Sequence, residues 1–286
     1  MTGTEAPGGV GWTALGVAAA RALESARADR LFDDPYAASF VGDPAAFRDA
    51  DGQSRAVFDR LGDYLALRTR FFDTWLRDVC AAGCRQVVLV ASGLDTRAFR
   101  LSWPPGTRLF EMDTVEVLAY KDSLLAAPPA CERSAIGVDL RTDWSPELTR
   151  RGFRPDEPTA WLVEGLLVYL TEAENDLLLS RIGALSAPGS ALAVEYVTRT
   201  RLVTDEVRDA LAATEDGFVH RLSTLWRNTA SESPARWLDA HGWHATGHRL
   251  EDLAASCARP MPPAFDPAHL DSSTVDLLLA DRKDAP

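Results

Sequence analysis

The stretch Arg85–Arg97, RQVVLVASGLDTR, decides the fold together with the acidic segment Glu111–Asp113. Val87–Val90 is a short apolar run rich in β-branched residues, which is typical of a strand buried on both faces. The run ends at Ala91-Ser92-Gly93, whose small side chains allow a ligand to approach the backbone. The next apolar run ends at Asp113, 20 residues after the glycine. The sequence thus predicts a strand, a small-residue turn and an acid, a pattern that binds the ribose of an adenosine-type cofactor.

Strand and helix patterns alternate through the rest of the chain. They predict strands at 86–91, 108–113, 134–139, 159–165, 190–196, 243–250 and 275–281, and helices at 96–101, 115–125, 172–185 and 234–241. A capping box from Thr171 to Glu174 marks the start of the third of these helices. The alternation predicts an α/β fold with a doubly wound, mostly parallel, seven-stranded Rossmann-like sheet.

Two further segments are predicted to be helical additions to this sheet. Residues 1–12 are predicted to be a disordered tail, and residues 13–81 are predicted to form an N-terminal helical extension. Residues 82–286 then form the Rossmann-like domain, in which residues 199–235 predict a helical cap insertion with helices at 203–213 and 217–228. A chain of 286 residues with 46% hydrophobic residues is long enough to bury such a core.

The helix predicted at 55–81 carries one arginine inside its apolar stripe. Arg68 falls at helical spacing among the apolar side chains of this stripe, Leu61, Leu65, Phe72, Trp75 and Val79. Because an unpaired guanidinium is costly in apolar surroundings, Arg68 is predicted to point inward to an anion. That anion is either a ligand or a structural carboxylate. The opposite stripe, with Arg70 and Asp73, is predicted to face solvent.

Small or acidic residues follow four of the predicted strands. Ligands of an open parallel sheet bind beyond the carboxyl ends of its strands. The small-residue turn, Asp113, Asp139 with Leu140, and Glu164 are therefore expected to line one site, although a single acid at a strand end often caps the next helix. Asp113 would contact ribose hydroxyls, Asp139 and Leu140 would lie near the adenine, and Glu164 near an ammonium group.

The turn after the first strand distinguishes two classes of cofactor. It lacks the full GxGxxG motif of dinucleotide sites, and Asp95 within it would repel a pyrophosphate. S-adenosylmethionine has no phosphate but carries a sulfonium, an ammonium and a carboxylate, and Arg68 is suited to pair with that carboxylate. The sequence therefore favours S-adenosylmethionine, with a predicted binding site formed by Arg68, Ala91, Ser92, Gly93, Asp95, Asp113, Asp139, Leu140 and Glu164.

Charge and composition limit the partners. The net charge of −12 argues against nucleic acid, which requires clustered Lys and Arg, and no apolar run approaches the ~20 residues of a membrane helix. The four cysteines form no CxxC pair, which favours reduced thiols in a cytoplasmic protein over a disulfide framework or a metal site. We therefore expect a small-molecule acceptor, no nucleic acid, no membrane and no metal.

Several segments together resemble one known family: Thr13–Val41, Leu67–Leu76 (LRTRFFDTWL), Val87–Arg100 (VVLVASGLDTRAFR), Phe110–Asp113 (FEMD) and Val163–Leu170 (VEGLLVYL). They resemble the leucine carboxyl methyltransferase-like family, and more closely its actinobacterial branch of S-adenosylmethionine-dependent methyltransferases. The resemblance implies O-methylation of a carboxylate of a small-molecule or polyketide-type metabolite, and the same cofactor residues. The family has Gly-Ala-Gly where this chain has Ala91-Ser92-Gly93, which leaves the strength of cofactor binding open.

The acceptor side is less determined by the sequence. An ionised carboxylate needs no general base, so positioning and desolvation would supply most of the rate, whereas a phenol or alcohol needs a base such as histidine. The acceptor-side candidates lie in the predicted cap insertion, His220 and Arg221 with Phe218 and Trp226, and no catalytic residue is assigned. An NAD(P)-dependent Rossmann oxidoreductase and a non-catalytic S-adenosylmethionine-binding protein remain alternatives.

Overall fold

The computed structural model describes residues 10–50, 52–199, 233–266 and 274–283. Helical elements come first in the chain: α1 (Val10–Ser25), a 3-10 helix (Ala37–Phe40), α2 (Pro44–Arg48) and α3 (Gly52–Ala81). Helix α1 begins three residues before the predicted start at Thr13, and residues 1–9 of the predicted tail lie outside the described ranges. These helices match the predicted N-terminal helical segment. The division of the chain into this segment and a Rossmann-like domain stays a prediction.

A seven-stranded sheet forms the centre of the described chain. Its strands are β1 (Gln86–Val90), β2 (Arg108–Asp113), β3 (Glu132–Gly137), β4 (Thr159–Val163), β5 (Ala191–Arg199), β6 (Trp243–His248) and β7 (Thr274–Arg282). The order across the sheet is β3-β2-β1-β4-β5-β7-β6. The first five strands pair in parallel, whereas β7 is antiparallel to both β5 and β6. The α/β fold is confirmed, with a mixed sheet in which β7 is reversed.

Helices follow most strands, as the alternation predicted. They are α4 (Arg97–Arg100), α5 (Val115–Leu124), α6 (Ser145–Arg150), a 3-10 helix (Leu167–Tyr169), α7 (Glu172–Ala184), α8 (Pro234–Ala240) and α9 (Leu250–Ser256). Helix α6 lies where the sequence indicated only a polar loop, and its Pro146 occupies the first turn, where no backbone donor is needed. Helix α9 was also missed. The predicted cap insertion lies almost wholly in residues 200–232, outside the described ranges.

Large apolar side chains fill both faces of the sheet. Trp144, Trp161 and Trp243 belong to the cluster on one face, and all three are fully buried. On the other face, Phe72 and Leu76 of α3 pack in a cluster with β1 and β4. Every residue of β1 is buried, as expected for the central strand of a parallel sheet.

The four cysteines are free thiols, Cys80, Cys84, Cys131 and Cys257. Burial raises the pKa of Cys80 and of Cys131 to about 12, so both thiols stay protonated at neutral pH. Within the described ranges, no three potential metal ligands cluster, and no helix has the length and apolar character needed to cross a membrane.

Helix α3 is buried over more of its surface than its sequence predicted. Arg68 is buried, as expected, but Asp73 is also fully buried although it was predicted to face solvent. Its carboxylate accepts hydrogen bonds from Arg97 Nε at 2.7 Å and from Arg100 Nη1 and Nη2 at 2.5 and 2.8 Å. The prediction was wrong because α4 supplies two guanidinium groups to this side of α3.

Asp73→Asn should lower the free energy of unfolding by about 3 kcal/mol, because it removes a buried negative charge that two buried arginines share. Urea unfolding followed by far-ultraviolet circular dichroism measures the change. The control is Asp78→Asn, an exposed position on the same helix, which should change stability by no more than about 0.5 kcal/mol. Equal effects of the two substitutions would contradict a stabilising role for the buried contacts.

Candidate functional site

The carboxyl ends of β1 to β4 open into one cavity of about 880 Å³, which we call the main cavity. All nine residues predicted for the cofactor site line it: Arg68, Ala91, Ser92, Gly93, Asp95, Asp113, Asp139, Leu140 and Glu164. Helix α1 closes one side through Thr13, Ala14, Val17 and Arg21; the sequence predicted that N-terminal helices cap the pocket but did not identify these residues. The structure brings the nine residues together, and their individual roles toward a ligand remain predictions.

The turn after β1 is held in an unusual backbone conformation. Ala91 has a φ of 55°, in the left-handed region that favours glycine, and Gly93 has a φ of 50°. A Cβ on Gly93 would lie 3.4 Å from the Cβ of Ala14 in α1, so the turn and the helix are in close contact. The Ser92 N–H donates to the Met112 carbonyl at 2.9 Å and ties the turn to β2.

Asp113 closes the same turn from the end of β2. Its Oδ2 accepts the Gly93 N–H at 2.7 Å, and its Oδ1 accepts the Thr114 N–H at 2.7 Å. Burial raises the pKa of this carboxyl, although both amides favour the ionised form. The Gly93 amide therefore already has an anionic acceptor, and a phosphate placed there would be repelled. Each carboxylate oxygen keeps a lone pair for a neutral donor such as a hydroxyl.

A series of ion pairs runs behind the main cavity, from α1 to β5. We call it the arginine–carboxylate network, and its members are Arg21, Asp34, Arg68, Asp73, Asp95, Arg97, Arg100, Glu164 and Glu195. Arg97 is its centre, since its guanidinium lies 2.7 Å from Asp73, 2.5 Å from Asp95 and 2.7 Å from Glu164. Arg97 thereby connects α3, the β1 turn and the end of β4.

Arg68 ends the network next to β5. Its Nε lies 2.8 Å from Glu164 Oε1, and its Nη1 donates to both oxygens of Glu195 at 2.9 and 2.8 Å. Glu195 also accepts hydrogen bonds from the Tyr64 hydroxyl and from the Gly165 N–H. The sequence allowed either a ligand anion or a structural carboxylate as the partner of Arg68. The structure shows that Arg68 pairs with structural carboxylates. Glu195 itself was missed, although a lone acid in the apolar run of β5 was a usable signal.

The network carries an excess of negative charge. It contains four arginines and five carboxylates, and Asp113 adds a sixth carboxylate to the wall of the same cavity. Burial tends to raise the pKa of Asp95, but Arg97 and neighbouring cations outweigh it and lower that pKa to about 2. The Asp95 carboxylate is thus ionised at neutral pH, and a wall with more carboxylates than arginines favours a ligand with net positive charge.

A second cavity of about 120 Å³ adjoins the main cavity, and we call it the side cavity. Both cavities are lined by Thr13, Val17, Arg68, Gly165, Leu166 and Tyr169. Most other residues of the side cavity are apolar and come from α3 and the segment after β4. Arg68 with its carboxylates therefore stands in the wall between the two spaces.

Asp139 is exposed and binds Arg141 through both carboxylate oxygens, at 2.9 and 2.6 Å, which lowers the pKa of Asp139. Asp139 thus stands at the outer rim of the main cavity, with a cation already at its side. The acceptor-side candidates His220 and Arg221, like Phe218 and Trp226, lie outside the described residues.

Comparisons of sequence place the chain among methyltransferases. Residues 14–183 match the family model described as leucine carboxyl methyltransferase. A Frankia alni protein named "Putative S-adenosyl-L-methionine-dependent methyltransferase" is 49% identical over 265 residues, which cover 90% of this chain and 92% of that protein. A Saccharopolyspora erythraea protein of the same name is 45% identical over 261 residues, covering 88% and 90%.

A comparison of structures agrees on the fold. The crystal structure of "a putative methyltransferase" from Thermobifida fusca superposes with a TM-score of 0.57 and covers 86% of this chain and 93% of its own. The two sequences are 19% identical, so the likeness concerns the fold alone.

Ala91→Gly should raise the free energy of unfolding by about 1 kcal/mol, because glycine adopts the left-handed backbone at this turn without the steric cost borne by alanine. Thermal and urea unfolding measure the effect. The same substitution at the exposed helical position Ala56 should lower stability by about 1 kcal/mol. A loss of stability in both variants would show that Ala91 is not strained.

Proposed function

The chain belongs to the leucine carboxyl methyltransferase family and uses S-adenosylmethionine as its cofactor, and from this premise we propose that it O-methylates a carboxylate of a small molecule. The proposed acceptor class is a polyketide-type metabolite of secondary metabolism. The observation that carries the proposal is the net-negative main cavity beyond the carboxyl ends of the parallel strands, in which Asp113 already occupies the Gly93 amide.

The side chains of the main cavity fit this cofactor. S-adenosylmethionine carries two positive groups, one carboxylate and no phosphate, which suits a wall with more carboxylates than arginines. A volume of about 880 Å³ lies within the range of small-molecule pockets. Asp113 would hold the ribose hydroxyls and Glu164 the ammonium, with Leu140 near the adenine. Arg68 would share its guanidinium between its own carboxylates and that of the cofactor.

Methyl transfer to a carboxylate requires little acid–base chemistry from the chain. When bound, S-adenosylmethionine supplies a methyl group activated by the sulfonium. The carboxylate oxygen is ionised at neutral pH, so the residues around it have only to position it and exclude water. The apolar walls of the side cavity provide such a water-poor boundary.

The described lining of the side cavity offers no free carboxylate or histidine that could act as a general base, which favours a carboxylate over a hydroxyl acceptor. Both oxygens of Glu195 are occupied by Tyr64, Arg68 and the Gly165 amide. No histidine of the described ranges lines either cavity.

The two alternatives are separated by binding and turnover. An NAD(P)-dependent oxidoreductase is not favoured, because Asp113 occupies the amide that a pyrophosphate would need. A protein that binds S-adenosylmethionine without catalysis is the second candidate, and it differs from the proposal only in turnover. A cytoplasmic location and the absence of nucleic-acid and membrane partners remain predictions from the sequence.

Asp113→Ala should weaken binding of S-adenosylmethionine and S-adenosylhomocysteine by about 1–3 kcal/mol, since it removes a charged acceptor for ribose hydroxyls. Isothermal titration calorimetry measures both affinities, with NAD as the ligand that should not bind. Asp78→Ala is the matched control and should bind both ligands like the unmodified chain. Binding of NAD alone would contradict the proposal.

The rate of methyl transfer to a carboxylic acid should be independent of pH between about 6 and 9, because the acceptor is already ionised and no base titrates. A panel of carboxylic acids, phenols and alcohols with labelled S-adenosylmethionine tests this through kcat/KM at each pH. A rate that rises with pH on a phenol, without turnover of any acid, would replace the carboxylate with a hydroxyl acceptor. Cofactor binding without any turnover would support the non-catalytic alternative.

A further inference from the structure

The side cavity is almost entirely apolar. The part of its lining that the main cavity does not share includes Val57, Phe58, Leu61, Leu65, Leu167, Val168, Val197 and Phe265. They come from α3, the segment after β4, β5 and the loop after α9. Such a wall favours hydrocarbon and gives a charged group no compensating partner.

The only charged side chains in its described lining are Arg68 and Glu195, and these form an ion pair. Arg68 Nη1 lies 2.8 Å from Glu195 Oε2. Both side chains are more than nine-tenths buried. Arg68 also lines the main cavity, and the Gly165 amide beside it donates to Glu195, which places this polar group at the junction of the two cavities.

We propose that the side cavity binds the apolar arm of the methyl acceptor. The acceptor is then a monocarboxylic acid, with its carboxylate on the main-cavity side of the junction and an uncharged hydrocarbon arm inside the side cavity. This inference rests on the proposed function, because it assigns a binding site to the part of the proposed acceptor that does not react. The side cavity, with about 120 Å³ against about 880 Å³ for the main cavity, suits a short arm.

The geometry makes the arm, rather than the carboxylate, the selective part of the acceptor. A second carboxylate at the far end of the arm would be buried among leucine, valine and phenylalanine side chains without a cation. Loss of hydration makes such burial costly. Hexanoate and its dicarboxylic analogue adipate have the same carbon number and differ only in this terminal group.

Binding of these two acids can be measured without turnover. Saturation-transfer NMR on the full chain loaded with S-adenosylhomocysteine should detect hexanoate, with an affinity at least tenfold higher than that of adipate. Equal affinities, or stronger binding of adipate, would overturn the inference.

A substitution that fills the side cavity supplies the second test. Leu61→Phe adds volume in the side cavity and does not touch the main cavity, so hexanoate affinity should fall at least tenfold while S-adenosylhomocysteine affinity stays within twofold. Leu177→Phe is the matched control, because Leu177 is exposed on α7 and lines neither cavity. Hexanoate binding that is the same in both variants would overturn the inference.

Failure of this inference and failure of the proposed function give different results. If the unmodified chain does not bind S-adenosylhomocysteine, the proposed function fails. If the chain binds it and methylates acids, but hexanoate binding does not respond to Leu61→Phe, the proposed function stands and the side cavity is not the acceptor site.

Discussion

Pairing of buried charge is the constraint on which this structure depends. Arg97 is 2% exposed and contacts carboxylates from α3, from the β1 turn and from the end of β4. A guanidinium out of water is tolerated only when such partners are held in place. The three segments must therefore keep their relative positions, and the main cavity lies between them. The same contacts that fix the fold thus give the cavity its shape and its negative wall.

Arg68 extends this constraint to the acceptor side. One of its carboxylate partners, Glu164, lines the main cavity, and the other, Glu195, lines the side cavity. The Arg68 guanidinium therefore fixes the distance between the main cavity and the side cavity. Methyl transfer needs the acceptor oxygen close to the methyl group, and a rigid common wall favours that closeness. The proposed cofactor and acceptor sites are linked through a side chain that the helical pattern of α3 had already marked.

The sequence predicted the strands and the lining of the main cavity because each leaves a local signal. An apolar run predicts the buried strand, and a small-residue turn predicts where that strand ends. A lone arginine in an apolar stripe predicts that Arg68 points inward. Contacts between distant segments leave no such signal. Asp73 looked like a solvent-facing residue because α4, which covers it, is only four residues long and lies 24 positions away in the chain.

The reversal of β7 was also beyond the sequence, since an apolar strand reads the same in both directions. Two acids show the same limit at the scale of one side chain. Asp113 was assigned to the ribose hydroxyls, and the structure shows that it also accepts the Gly93 N–H. The contacts of Glu195 could be predicted only with knowledge of which helix covers β5. In each case the missing information is tertiary, namely the group that lies opposite.

The position of β7 has a consequence for how the chain is made. β6 pairs with β7 alone among the described strands, and β7 stands between β5 and β6 although it follows both in sequence. During translation, the strand edges of β5 and β6 that pair with β7 therefore keep unpaired amides and carbonyls until β7 has left the ribosome. The parallel half of the sheet can assemble earlier, whereas the sheet is completed only after β7 has been synthesised.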